Sequence, residues 1–156
     1  MLPTARKRLV TIGIGAALID AAKLLGGIPT DILAVRDDDE RLAGVITKTD
    51  VVRRIGECQG SACTTAVAAV MTRTVILCHA GDVLLDVWAT MKDRGLKNVP
   101  VVDQGLRPIG ILNARDALEG LLEEAEYEEG LLRDYVMCVG YFGSLMIHAA
   151  ACGAWE

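Results

Sequence analysis

Apolar and polar positions along this chain run twice through one order of periodicities. Residues 9–12 form a short apolar run of strand character. After the loop Gly13-Ile14-Gly15, the side chains of Leu18, Ala21, Ala22 and Leu25 recur at helical spacing. That helix is expected to stop at Gly26-Gly27. Two further apolar runs, residues 32–35 and 42–46, flank the polar segment Arg36-Asp37-Asp38-Asp39-Glu40, which predicts two strands joined by a turn. The second passage repeats the order. It has a strand at 75–78, then Leu84, Val87, Trp88 and Met91 on one helical face, a stop at Gly95, and strands at 99–102 and 109–112 around Asp103-Gln104-Gly105. Each half therefore reads strand, helix, strand, strand, helix. Residues 60–65, rich in small side chains, form the linker, and residues 66–71 are expected to make one helical turn before the second copy begins.

The halves also match residue by residue at a constant offset of 66 positions. Gly15, Leu18, Asp20, Val35, Asp37, Arg41, Gly44 and Asp50 meet Gly81, Leu84, Asp86, Val101, Asp103, Arg107, Gly110 and Asp116. The best-matched stretch ends each copy: Gly44-Val45-Ile46-Thr47-Lys48-Thr49-Asp50 answers Gly110-Ile111-Leu112-Asn113-Ala114-Arg115-Asp116. A unit of about 60 residues is marginal alone and gains stability by packing against its copy, so function is expected between the copies. The chain divides accordingly into residues 1–60, 61–127 and a C-terminal helical or flexible tail, 128–156.

Composition narrows the function classes. With 52% hydrophobic residues but only 4% aromatics, the core must be built from Leu, Val and Ala, and further burial in an oligomer is expected. A net charge of -5 argues against a nucleic-acid surface, which needs clustered positive charge. Cys58, Cys63, Cys78, Cys138 and Cys152 form no CxxC pair, and Cys78-His79 is read as a strand end with a packed thiol, so no metal site is expected. The odd cysteine count, without a secretory leader over residues 1–20, points to reduced thiols in a cytoplasm. The acidic run 37–40 lacks the alternating ligands and distal glutamate of a calcium loop, which leaves a solvated hairpin turn.

The repeated polar motif has a purely local reading. A strand ending at Ile46 leaves Thr47 to cap the helix that begins at Lys48, and Asp50 at the third helical position can reach back to Thr47, in the spacing of a capping box. Phosphate loops and nucleophile triads are missing, and a carboxylate at a helix start stays ionised instead of being tuned as a base near neutral pH. Catalytic residues are therefore not assigned.

The paired motifs, together with Val70-Met71-Thr72 and the strand Asn98-Val99-Pro100-Val101-Val102, resemble the family of paired cystathionine beta-synthase (CBS) domains of the free-standing bacterial type, over residues 8–123. The resemblance implies an α+β fold, a tandem pseudo-twofold pair with two inter-domain clefts. It also implies binding of an adenine nucleotide or related ligand, such as AMP, ATP, NAD or S-adenosylmethionine. In such a site the aspartate accepts hydrogen bonds from ribose hydroxyls, a role that suits a carboxylate because it would repel phosphate. Thr47 and Asp50 match that pattern fully, whereas in the second copy Asn113 replaces the hydroxyl beside Asp116. The adenine slot is expected along Val10, Thr11, Ile12, Leu33 and Val45 in the first copy, and along Ile76, Cys78, Val99 and Ile111 in the second. For phosphate, Arg115 is the leading candidate with Thr74, Arg73 and Lys97 nearby, against Arg8, Lys48 and Arg53 in the first site.

The tail departs from the simple module. Leu118, Leu121, Leu122 and Ala125 prolong the last helix on one face, beside a flank of glutamates. Residues 135–155 carry no formal charge with His148 neutral, yet Gly140, Gly143, Ser144 and Gly153 interrupt them and Asp134 and Glu156 flank them, so a membrane span is not expected. The resulting expectation is a non-catalytic regulatory module, homodimeric through the helices carrying Ala21 and Trp88 or through the last helix, that controls an unidentified partner protein. The alternatives are a purely structural dimerisation module without ligand and a nucleotide-processing enzyme.

Overall fold

The computed structural model describes residues 2–57 and 64–150, with side chains for 3–57 and 64–137. Cys58, Cys63 and Cys152, most of the expected linker, and the side chains of the uncharged tail from Cys138 onward lie outside the described residues. The elements run α1 (Leu2–Lys7), β1 (Thr11–Gly13), α2 (Leu18–Gly27), β2 (Ile32–Arg36), β3 (Leu42–Thr47), α3 (Lys48–Glu57), a 3-10 turn (Val67–Ala69), β4 (Cys78–His79), α4 (Leu84–Arg94), β5 (Asn98–Val102), β6 (Pro108–Asn113) and α5 (Ala114–Ala150). The predicted order holds in both copies. The structure adds helix α1, and β4 keeps only Cys78 and His79, residues 75–77 lying outside any strand.

Each copy makes a three-stranded sheet, β1-β2-β3 and β4-β5-β6. The first strand pairs parallel with the second, as a crossover helix requires, and the second pairs antiparallel with the third through a short hairpin. Strand alternation then sorts the side chains. Leu33, Val35 and Ile46 point to the helix side and pack with Leu18, Ala21 and Leu25, while Ile32, Ala34 and Val45 pack on the opposite face with Ile111 of the second copy. The second copy builds its helix-side core from Cys78, Met91, Val99, Val101 and Leu112, joined by Ala5 of α1, with Trp88 packed against it. Wholly buried Leu33, Ile46 and Ile111 anchor these layers.

The duplication extends to backbone irregularities. The β2–β3 register shifts between Val35 and Arg36, and the β5–β6 register between Val101 and Val102. Glu40 (φ 64°) and Leu106 (φ 61°) take the left-handed conformation at equivalent points of the two hairpins. Asp37 Oδ1 accepts the N–H groups of Asp39 and Arg41, and Asp103 Oδ1 those of Gly105 and Arg107, so these aspartates organise the turns.

Helix α4 ends at Gly95, whose φ of 63° is free of Cβ strain, and the Leu96 N–H closes the turn onto Met91 O at 2.8 Å. The first compact unit ends at Leu118 and holds both sheets. The second begins at Glu119 and carries the continuation of α5, a single helix to Ala150 with exposed Leu122, Leu131, Leu132 and Tyr135. Among the described residues, no helix is long and apolar enough to cross a membrane.

Candidate functional site

The site grows from the end of β3. Thr47 closes the strand, and its backbone N–H and its hydroxyl both donate to Asp50 Oδ2, at 2.9 and 2.7 Å. The Asp50 N–H returns a bond to Thr47 Oγ1 at 3.3 Å. This is the reciprocal capping expected from the spacing, and it satisfies donors that a helix start leaves open. Among the described residues, Asp50 Oδ1 has no hydrogen-bond partner, so the cap leaves one carboxylate oxygen unused. The Lys48 N–H donates to Asp31 O at 3.0 Å, and the Ala114 N–H to Lys97 O at 2.8 Å, so the motif in each copy is tied to the residue before the second strand in the same way.

What faces the first motif comes from the second copy. The segment before β4 crosses to the first sheet, where Val45 and Thr72 exchange backbone hydrogen bonds of 3.0 and 2.8 Å. Gly44 permits the approach: a Cβ there would stand 2.5 Å from Thr72 O. The result is a cleft of about 550 Å³ with floor and walls from both copies. Ile32, Val45, Ile76 and Pro100 supply apolar surface, Thr47, Thr72 and Thr74 hydroxyls, Lys48 and Lys97 positive charge. Asp31 lies among them, paired with Lys48 Nζ at 2.9 Å. Hydrogen bonding and charge from Lys48, with a smaller effect of Lys97, hold the Asp31 carboxyl below the usual carboxylate range.

The second motif is arranged differently. Both Asp116 oxygens accept from Arg8: Nε donates to Oδ2 at 2.7 Å and the terminal amino group to Oδ1 at 2.9 Å. Asn113 serves as the cap, accepting the Arg115 N–H at 2.9 Å while its amide donates to Asn98 Oδ1 at 2.9 Å. Here α1 plays the crossing part, and Gly110 admits it, because a Cβ there would lie 3.0 Å from Ala5 Cβ.

Six of the sequence-predicted residues, Val45, Thr47, Lys48, Thr74, Ile76 and Lys97, share the first cleft, and Asp50 stands behind Thr47. Thr74, Ile76 and Lys97, assigned from sequence to the second copy's site, thus meet the first copy's motif, and Arg8, assigned to the first site, meets Asp116. Ile12 and Leu33 face the helix-side core of the first copy, with Val10 packed against it, and Thr11 pairs with Ala34 inside the sheet. Ile111 is buried between the sheets, and Arg115 is exposed on the first turn of α5.

Cys78 and Val99 line, with Ile76, a separate cavity of about 420 Å³ beneath α4. Burial, and then the charge of Asp82, push the Cys78 thiol up to about 11. Among the described residues, no group of three or more His, Cys, Asp or Glu is placed to hold a metal ion. Sequence reasoning missed Ile32, Asp31, Thr72 and Pro100; strict alternation from buried Leu33 would have selected Ile32 as the cleft-facing neighbour.

A pseudo-twofold pair of three-stranded α+β units, each sending its leading segment across to the other, defines the class. The chain belongs to the CBS domain family, which it matches over residues 4–57 and 67–123. It is similar to the solved structure of CBSX2 in complex with AMP, at 25% identity and a TM-score of 0.68, covering 78% of this chain and 93% of that one. It is also similar to the CBS domain pair of MJ0100, solved with 5-methylthioadenosine and S-adenosyl-L-methionine, at 26% identity and a TM-score of 0.63, covering 74% and 92%. A curated relative, the L-aspartate semialdehyde sulfurtransferase of Methanocaldococcus jannaschii, is 27% identical over 107 residues, 69% of this chain and 20% of that protein. The chain thus spans about a fifth of that relative's length.

Proposed function

We propose that the chain is a non-catalytic regulatory module that binds an adenine nucleotide or related adenosyl ligand in the first cleft and thereby controls a partner protein. The observation that carries this reading is the meeting of hydroxyls, apolar walls and lysines from both copies in a cleft of about 550 Å³, within the range of small-molecule sites. Thr47 on the cleft wall and Asp50 behind it would take the ribose hydroxyls, the base would lie between the apolar walls, and Lys48 and Lys97 would meet phosphate. The complexes of CBSX2 with AMP and of MJ0100 with adenosyl ligands support the ligand class. Because the walls come from both copies, a ligand that fits one arrangement better shifts the pair toward it, which is what a partner would sense. Exposed Ile19 and Leu24 on α2 and Leu85 on α4 give a surface for the homodimer that belongs to the same proposal.

Calorimetric titration with adenosine, AMP, ATP and S-adenosylmethionine, with mass measured by sedimentation on the same samples, tests the reading. Asp50→Asn is expected to weaken adenosine by about 1–3 kcal/mol, the value of a hydrogen bond to a charged group. Silence toward all four compounds at millimolar concentration would overturn the ligand reading in favour of a structural dimerisation module.

A further inference from the structure

We infer that Arg8 fills the place beside the second motif that the 66-residue symmetry equates with the first cleft, so that the chain takes one nucleoside instead of two, and that the Arg8–Asp116 pair is the latch. This rests on the nucleoside reading of the first cleft and extends it to the second. The 66-residue offset relates Thr47, Asp50 and Thr74 of the first cleft to Asn113, Asp116 and Arg8. Thr74 lines the first cleft with a short hydroxyl and leaves room for a ligand. Arg8 instead extends a guanidinium to the carboxylate that the symmetry places at the ribose position.

The two bonds, 2.7 and 2.9 Å, engage both carboxylate oxygens in parallel, the geometry in which arginine holds a carboxylate best. Asp116 is the one buried charged residue among the described residues, with 9% of its surface exposed, so a ribose would have to displace the guanidinium to reach it. By contrast, Asp50 spends only one oxygen on its own cap. Backbone symmetry has been kept on both sides, as the Lys48 to Asp31 and Ala114 to Lys97 bonds demonstrate, while the side-chain chemistry has diverged. Arg8 also lies directly after α1, whose Ala5 is seated against Gly110, so a ligand that opened the latch would disturb the N-terminal segment as well.

Adenosine titration of the full chain, wild type against Arg8→Thr, reads the latch as a stoichiometry. Arg8→Thr installs the residue found at the equivalent position of the first cleft. We expect one adenosine per chain for wild type, two for Arg8→Thr, and one again for Arg8→Thr combined with Asp116→Asn. Two adenosines on wild type, or one on an Arg8→Thr protein with a native circular dichroism spectrum, overturns the latch and leaves the nucleoside reading standing. No adenosine on either protein overturns the nucleoside reading itself and the latch with it. Should Arg8→Thr not fold, Asp116→Asn alone decides. Adenosine affinity within twofold of wild type is expected, because the occupied cleft does not use Asp116, and a tenfold loss refutes the latch.

Discussion

Replacing Gly44 by alanine adds one methyl group at the point where the second copy crosses onto the first sheet. That methyl would lie 2.5 Å from Thr72 O, 3.3 Å from Thr72 C and 3.1 Å from Met71 Sδ. Ordinary carbon contacts begin near 3.5 Å, so the Thr72 backbone must retreat by about 1 Å. The Val45–Thr72 hydrogen bonds, 3.0 and 2.8 Å, then stretch beyond useful length. Losing both costs about 1–3 kcal/mol, and residual overpacking about 1–3 kcal/mol more. The stiffer unfolded chain returns about 0.4–1 kcal/mol. The net expectation is a loss of about 1–5 kcal/mol, centred near 3, read from urea midpoints at unchanged m-value. Gly110→Ala is the matched control. Its methyl meets Ala5 Cβ at 3.0 Å and the Ala5 carbonyl at 3.1–3.2 Å, and the six-residue α1 has only to shift by a few tenths of an ångström, so about 1 kcal/mol is expected. Hydrogen exchange at the Thr72 and Val45 amides should accelerate in Gly44→Ala and not in Gly110→Ala. If Gly44→Ala proves no more destabilising than Gly110→Ala, the crossing is not held by this contact and the reasoning fails.

On the proposed reading of the first cleft, Asp31 would compete with ligand phosphate for Lys48, so Asp31→Asn should strengthen ATP relative to adenosine by about two- to fivefold, the worth of an exposed ion pair. Equal strengthening of both ligands would remove Lys48 from the phosphate role. The sign with pH follows from the lowered Asp31 pKa: whatever the pair contributes is present above the ordinary carboxylate range and is lost as pH falls through the lowered value. For Cys78 the direction is opposite. With the thiol pushed up to about 11, its contribution to stability is intact below pH about 9 and declines as pH rises through 11. A variant carrying serine at Cys58, Cys63, Cys138 and Cys152 should react with Ellman's reagent at pH 8 about a hundredfold more slowly than after unfolding, from the thiolate fraction alone. A native rate equal to the unfolded one would contradict the burial of that thiol.

Sequence periodicity carried the element order, because amphipathic spacing and turn chemistry are local, and the constant offset carried the duplication, to which the structure adds paired bulges and paired left-handed residues. It also located the Thr47–Asp50 cap, whose two partners are three positions apart. It did not carry strand parity. The runs 32–35 and 99–102 are apolar on both faces, since one face meets helices and the other meets the second sheet, and a run without alternation does not say which face is which. Leu33, expected in the first slot, and Val99, expected in the second, face the helix-side cores, and their neighbours Ile32 and Pro100 line the first cleft.

The crossing of the two leading segments was the other missing element, and it decides which residues share a cleft. A glycine inside a strand announces that some backbone comes close, so Gly44 and Gly110 were legible as points of approach. They say nothing of what approaches, because Thr72 and Ala5 are brought in by long-range packing that leaves no local mark. Once the crossing is known, the offset becomes a chemical comparison instead of a record of duplication: it sets Thr74 against Arg8 at equivalent points beside the two motifs. A backbone preserved to the level of single hydrogen bonds, with threonine on one side and an arginine bound to its own aspartate on the other, is the ground for proposing a ligand site beside one motif and a fixed internal contact beside the other.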